Sequence, residues 1–163
     1  MDFAVKNKNT EATSELKLMQ GKMTTPDMLI VLQPFNAPEA AAKVAEKILA
    51  ASIAAHENNF TKATALLTEA VTSEDAMIYN EPKDWLLPAR QYLGYALLHT
   101  GNASRAEKIF KEDLVDNPDN HWTLFGLYHA LLQQKKKVEA TAIKKQFDKA
   151  FEGADILPGT GFY

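Results

Sequence analysis

Residues 84–118, DWLLPARQYLGYALLHTGNASRAEKIFKEDLVDNP, carry two apolar stripes of helical period separated by a polar break at His99-Thr100-Gly101-Asn102. In the first stripe Leu93, Gly94, Leu97 and Leu98 recur at helical spacing; in the second, Ala106, Ile109, Phe110 and Leu114 do so. Gly101 supplies the residue that takes φ > 0 beyond a helix end, and Asn117-Pro118 stops the second stripe. Gly94 set against Ala106 predicts a close approach of two antiparallel helices. A hairpin of this size cannot bury both of its faces alone, so the chain must stack others against it.

The pattern recurs along the chain. A step of 34 residues takes Gly101 to Lys135, Ala106 to Ala140, Leu93 to Leu127 and Leu97 to Leu131. A step of 43 residues back takes Gly101 to Asn58, Ala106 to Ala63, Phe110 to Leu67 and Gly94 to Ala51. The extra residues of the longer step fall around Ser73 to Trp85, where Pro82 and several acids mark a loop. Three helical hairpins follow, two in tight succession.

A helix-turn-helix unit of this period, with LGYALLHTGNASRAEKIF and a Pro eight residues past the Phe, resembles a tetratricopeptide repeat. Leu93-Gly94, Leu97, Gly101, Ala106, Phe110 and Pro118 stand at the positions of that pattern. The first unit departs from it with Asn58 at the turn, keeping Ala51, Ala63, Leu67 and Ala70; the third departs with Lys135 at the turn and Lys144 in place of a large apolar residue. The runs EDAMIYNEPKDWLLPAR and EKIFKEDLVDNPDNHWTLFGLYHAL also resemble the C-terminal end of longer bacterial repeat proteins. The resemblance spans roughly residues 39–152. It implies an all-α fold of antiparallel helical hairpins stacked as a right-handed α-solenoid, with about three repeats plus a partial N-terminal one.

A chain of 163 residues suffices for one domain with a sizeable core. A net charge of −3 argues against nucleic acid, which selects basic surfaces. Without cysteine there is neither disulfide nor thiolate metal site. No apolar run reaches the length of a membrane span, and the N-terminus lacks a signal peptide's apolar core. The expectation is a soluble, cytoplasmic chain, periplasmic if a parent chain carries a signal peptide.

Taken in order, residues 1–20 read as a hairpin cut at its front, with a turn at Asn7-Lys8-Asn9 and with Ala12, Leu16 and Met19 copying Ala63, Leu67 and Ala70. This suggests the C-terminal portion of a longer repeat array. Residues 21–38 read as a connector, in which Thr25-Pro26-Asp27 opens a short helix or strap. Its run Met28-Leu29-Ile30-Val31-Leu32 is expected in the core. Residues 39–74 form the first full repeat and 75–84 a long loop, with Tyr79 and Trp85 pinning it onto the helices and Asp84 capping the next helix. Residues 85–118 and 119–152 are the second and third repeats, and the tail 153–163 folds back over the last helix.

Catalytic signatures are missing. No G-x-S-x-G, phosphate-cradling glycine loop, HxxxH or HExxH occurs, so no catalytic residue, metal site or cofactor is expected. The acids Glu74, Asp75, Glu81, Asp84, Glu112, Asp113 and Asp116 fall in loops and at helix ends and are expected to be solvated, as are Lys135, Lys136 and Lys137.

In proteins of the resembled family the first helices of the hairpins line a concave groove. Here that face would present Ile48, Ser52 and His56, then Gln91, Tyr95, Leu98 and His99, then Trp122, Phe125, His129 and Gln133. It is aromatic and uncharged. Some family members hold a terminal carboxylate with a basic clamp; the matching positions here are Ile48, Ser52, Gln91, Tyr95, Trp122 and Phe125, so an apolar or extended peptide suits better. The expected function is a non-catalytic protein-interaction module that binds a protein or peptide ligand. The alternatives are an accessory domain of a larger enzyme or metal-binding protein, and a homodimer formed through the N-terminal face.

Overall fold

The computed structural model describes residue 6, residues 8–31 and residues 34–153. Among these residues the chain forms seven α-helices and no strand, with neighbouring helices packed on one another, so the all-α expectation holds. The remnant of a helix before the first turn, Asn7 of that turn, Leu32 of the apolar run and the tail beyond Gly153 lie outside the described residues. None of the helices is long and apolar enough to cross a membrane. The chain divides into two compact units, the first reaching Ala89 and the second beginning at Arg90.

The first unit holds α1 (Asn9–Met23), a 3₁₀ turn (Pro26–Leu29), α2 (Pro38–His56) and α3 (Phe60–Asp75). Its core is built from small side chains. Val44, Ile48, Ala51, Ala54 and Ala55 of α2 and Ala63, Leu67 and Ala70 of α3 are buried, which lets the two helices approach closely. Ala12 of α1 packs on Ile53 of α2, with Leu16 and Leu49 beside them. Helix α1 runs through Gly21 to Met23, beyond the expected boundary of the connector.

The second unit holds the rest of α4 (Ala89–His99), then α5 (Ala103–Asp116), α6 (His121–Gln133) and α7 (Lys137–Ala150). Its centre is Phe110, fully buried, with Gly94 of α4 on one side of the ring and Gly126 of α6 on another. A β-carbon added at either glycine would fall within 3.0 Å of that ring. Gly94 thus makes a close approach to Phe110 of α5, one turn beyond buried Ala106. Tyr95 meets the same ring edge-on at 5.4 Å.

The three turns inside the hairpins share one backbone geometry. Asn58, Gly101 and Lys135 all have positive φ, at 58°, 74° and 61°. In each, the N–H of that residue donates to the carbonyl three residues back and the next N–H donates five back. The pairs are Asn58 to Ala55 (2.9 Å) and Asn59 to Ala54 (2.8 Å), Gly101 to Leu98 (3.0 Å) and Asn102 to Leu97 (2.9 Å), and Lys135 to Leu132 (2.9 Å) and Lys136 to Leu131 (3.0 Å). These bonds satisfy carbonyls that a helix end leaves without partners. The following residue then caps the next helix: Asn59 Oδ1 accepts from Lys62 N–H at 3.0 Å and Asn102 Oδ1 from Arg105 N–H at 3.3 Å. The third turn has Lys136 there and no side-chain cap.

Several local expectations change. Thr25-Pro26-Asp27 does open the short 3₁₀ turn, but Leu29, Ile30 and Val31 are each about half exposed and do not join the core. The loop between α3 and α4 spans residues 76–88, so Trp85 precedes the helix instead of opening it. Tyr79 is 68% exposed and does not pin the loop; Trp85 is half-buried and its indole N–H donates to the Leu87 carbonyl at 2.5 Å. The loop is held by Asn36, whose amide donates to the Ile78 carbonyl (2.7 Å) while its Oδ1 accepts the Ile78 N–H (2.8 Å). Asp84 accepts from Asn36 and Asn80, which draws its carboxyl below the ordinary aspartate range. The capping role expected of Asp84 falls to Glu74, whose Oε2 accepts the Ala89 N–H at 2.7 Å.

Candidate functional site, a cleft between two helix C-terminal ends

Five of the eleven side chains expected on the groove come together. Tyr95 and His99 of α4 and His129 and Gln133 of α6, with Leu98 between them, line a cleft of about 170 Å³. The geometry follows from local sequence. Tyr95, Leu98 and His99 occupy one face of the last turn of α4, and His129 and Gln133 lie four apart on the last turn of α6. Phe110, seated against Gly94 and Gly126, sets how near α4 and α6 approach behind the cleft.

The cleft has a buried floor and an exposed rim. Tyr95 is buried and its hydroxyl donates to the Trp122 carbonyl at 2.8 Å, tying α4 to the start of α6. Burial pushes that phenol well above the ordinary tyrosine range, so it is neutral at any physiological pH. His129 is half-buried and its ring meets Phe125 edge-on at 4.4 Å and Tyr128 at 5.3 Å. Burial draws its imidazole below the usual histidine range, which favours the uncharged form. His99 and Gln133 are exposed at the rim.

The other expected groove residues lie elsewhere. Ile48 and Ser52 are buried within the first unit, and the Ser52 hydroxyl has no hydrogen-bond partner among the described residues. His56 closes α2 in the first unit and is half-buried. Gln91 is buried and donates to Asp113 at 3.4 Å, so it faces the interior of the second unit. Phe125 turns toward α7, with Phe147 5.5 Å away, and Trp122 is exposed at the start of α6.

Two acids of α5 are enclosed, and the first of them departs from the solvated reading. Asp113 is fully buried, accepting from Asn117 (3.0 Å), Gln91 (3.4 Å) and the Thr123 hydroxyl. Burial raises its carboxyl above the ordinary aspartate range, and those three donors and Arg90 pull the other way. Glu107 is nearly buried and meets Lys111 (2.5 Å), Lys136 (2.7 Å) and the Gln134 amide (2.7 Å). Burial alone would raise its carboxyl; the two ammonium groups and the amide outweigh it and hold it at about 2. Lys136 is thus an ion-pair partner, not only part of a solvated turn. The spacing signalled both acids, since Asp113 continues the buried stripe of Ala106 and Phe110 and Glu107 lies one turn from buried Ala103.

Among the described residues no group of three or more histidines and acids stands where it could hold a metal ion. No family model matches the chain, nor does any curated protein or solved structure.

Proposed function

We propose that the helix pairs are repeats of the tetratricopeptide kind and that the protein is a non-catalytic interaction module. Its ligand is an extended peptide segment of a protein partner, docked at the cleft of Tyr95, Leu98, His99, His129 and Gln133. The observation that carries this reading is the cleft itself. It is concave, has an apolar floor and presents two imidazoles and a carboxamide as the groups that fix orientation. The repeat assignment is supported by the matching turns at Asn58, Gly101 and Lys135, spaced as the sequence periods require. Asp113 does not suggest catalysis, because its oxygens are taken up by Gln91, Asn117 and Thr123 inside the unit.

The test is selection of random displayed peptides on the full chain, followed by titration against variants. His99→Ala and Gln133→Ala alter exposed side chains, so helicity should be retained while affinity for selected peptides falls by about tenfold or more. Peptides that bind both variants as tightly as the parent place the site elsewhere; failure to select any peptide removes the reading.

A further inference from the structure

The cleft's size and lining narrow what it admits. A cavity of roughly 150 Å³ lined by apolar groups holds one benzene ring, and this cleft offers about 170 Å³. None of the five lining side chains is a carboxylate, an ammonium or a guanidinium. An ionised side chain entering would lose hydration with no opposite charge to meet it. The tyrosine and imidazole faces suit the edge or face of a ring.

We infer that the cleft receives one uncharged, phenyl-sized side chain of the docked segment, and does so only while His129 is neutral. This rests on the peptide-binding reading above. A ring seated against His129 takes more water from an imidazole already half-buried between Phe125 and Tyr128. The charged imidazolium would then be desolvated without a counter-ion, so protonation and occupancy oppose each other. The titratable groups that share the cleft from α4 are Tyr95, held neutral, and His99; from α6, Tyr128 stands beside the ring. On α7, which packs on α6, Lys144 stands 5.6 Å from the Phe147 ring and pairs with Asp148, and Glu139 is the other carboxylate of that helix; neither acid lines the cleft. The sign is fixed: affinity is full above the His129 titration and falls below it, by at most about tenfold per pH unit for a single proton.

The experiment follows the ring and amide signals of the full chain by NMR with N-acetyl-phenylalaninamide as probe and N-acetyl-lysinamide as control. At about pH 7.5 the phenyl probe should move the signals of Leu98, Tyr95 and His129, and the lysine probe should not; the phenyl affinity should fall as the pH is lowered through the His129 titration, with a slope approaching about tenfold per pH unit below it. The probe should also shift the wild-type His129 titration to lower pH, a reading that needs no variant. In His129→Gln the pH dependence should vanish, and in His99→Gln it should persist. Equal binding of the lysine probe, or pH dependence that survives in His129→Gln, overturns the inference. So does a probe that acts by dissociating a dimer, since the occupant is then a second copy. Selected peptides that dock at the cleft but lack a ring defeat this inference alone. Cleft signals unmoved by both peptides and probe defeat the peptide-binding reading as well.

Discussion

The Phe110 ring of α5 comes within 3.0 Å of where the β-carbon of residue 126 would stand if that residue were anything but glycine. Gly94 accommodates the same ring from α4. Three helices of the second unit thus meet at one aromatic side chain, and the spacing behind the cleft is set by two missing methyl groups.

Gly126→Ala and Gly94→Ala should each destabilise the protein by about 1–3 kcal/mol, the usual range for overpacking a filled core. Phe110→Ala should cost about 3–5 kcal/mol. In the Phe110→Ala background the Gly126→Ala penalty should shrink or reverse, because the added methyl enters the space the ring leaves. Urea midpoints for the four members of this cycle read the coupling directly; strictly additive costs would show that the ring and the glycine do not share that space.

At the turns, Lys135 holds the left-handed conformation that Gly101 adopts without strain. A side chain in that region costs about 1–2 kcal/mol, and glycine's extra freedom in the unfolded chain returns about half of it. Lys135→Gly should therefore stabilise by about 0.5–1 kcal/mol, Asn58→Gly by less, since asparagine tolerates the region, and Gly101→Ala should destabilise by about 1 kcal/mol. Thermal denaturation would decide; a lower Tm for Lys135→Gly than for the parent contradicts the shared turn.

Asp113 makes stability depend on pH in the less common direction. Its folded-state carboxyl lies above the value of 3.8 it has when unfolded, so its contribution is complete below that value and is lost as the pH rises through the folded one. Relative to Asp113→Asn, the parent should lose stability as the pH rises from below 3.8 through the folded-state titration of this carboxyl. Denaturant titrations across that range check it, and parallel curves for the two proteins would rule it out.

Glu107 acts oppositely. Its carboxyl is held at about 2 against an unfolded value of 4.5, so the stability it contributes is present above 4.5 and is lost as the pH falls toward 2. Glu107→Gln should destabilise by about 1–2 kcal/mol at neutral pH, with the difference narrowing below about pH 4. Lys136→Ala should show a smaller effect with the same pH dependence, because Lys111 and Gln134 still meet the carboxylate. A pH-independent difference would place the effect in packing instead of charge.

Much of this was legible because it is local. The residues that turn the chain at Asn58, Gly101 and Lys135 act on backbone groups within five residues of themselves, so spacing alone located them; the caps by Asn59 and Asn102 are as local, but the sequence reading did not single them out. The groove was legible in part. Tyr95, His99, His129 and Gln133 follow from which helix face a residue occupies, whereas the inward course of Gln91 depends on Asp113, a partner more than twenty positions away. The apolar run at Leu29–Val31 misled because composition reports a preference for burial but not whether a covering surface exists. Asp84 misled because Glu74 reaches the Ala89 N–H instead.

The sequence by itself determined that the chain is helical and where the three hairpins reverse, since those events are governed by φ preference and period over a few neighbouring residues. Only the tertiary structure decided which polar groups are enclosed and which glycines carry the packing. Phe110 can find Gly94 and Gly126, and Asp113 can find Gln91 and Thr123, only after α4, α5 and α6 have come together. Burial and its electrostatic consequences belong to distances between helices, which no stretch of sequence contains.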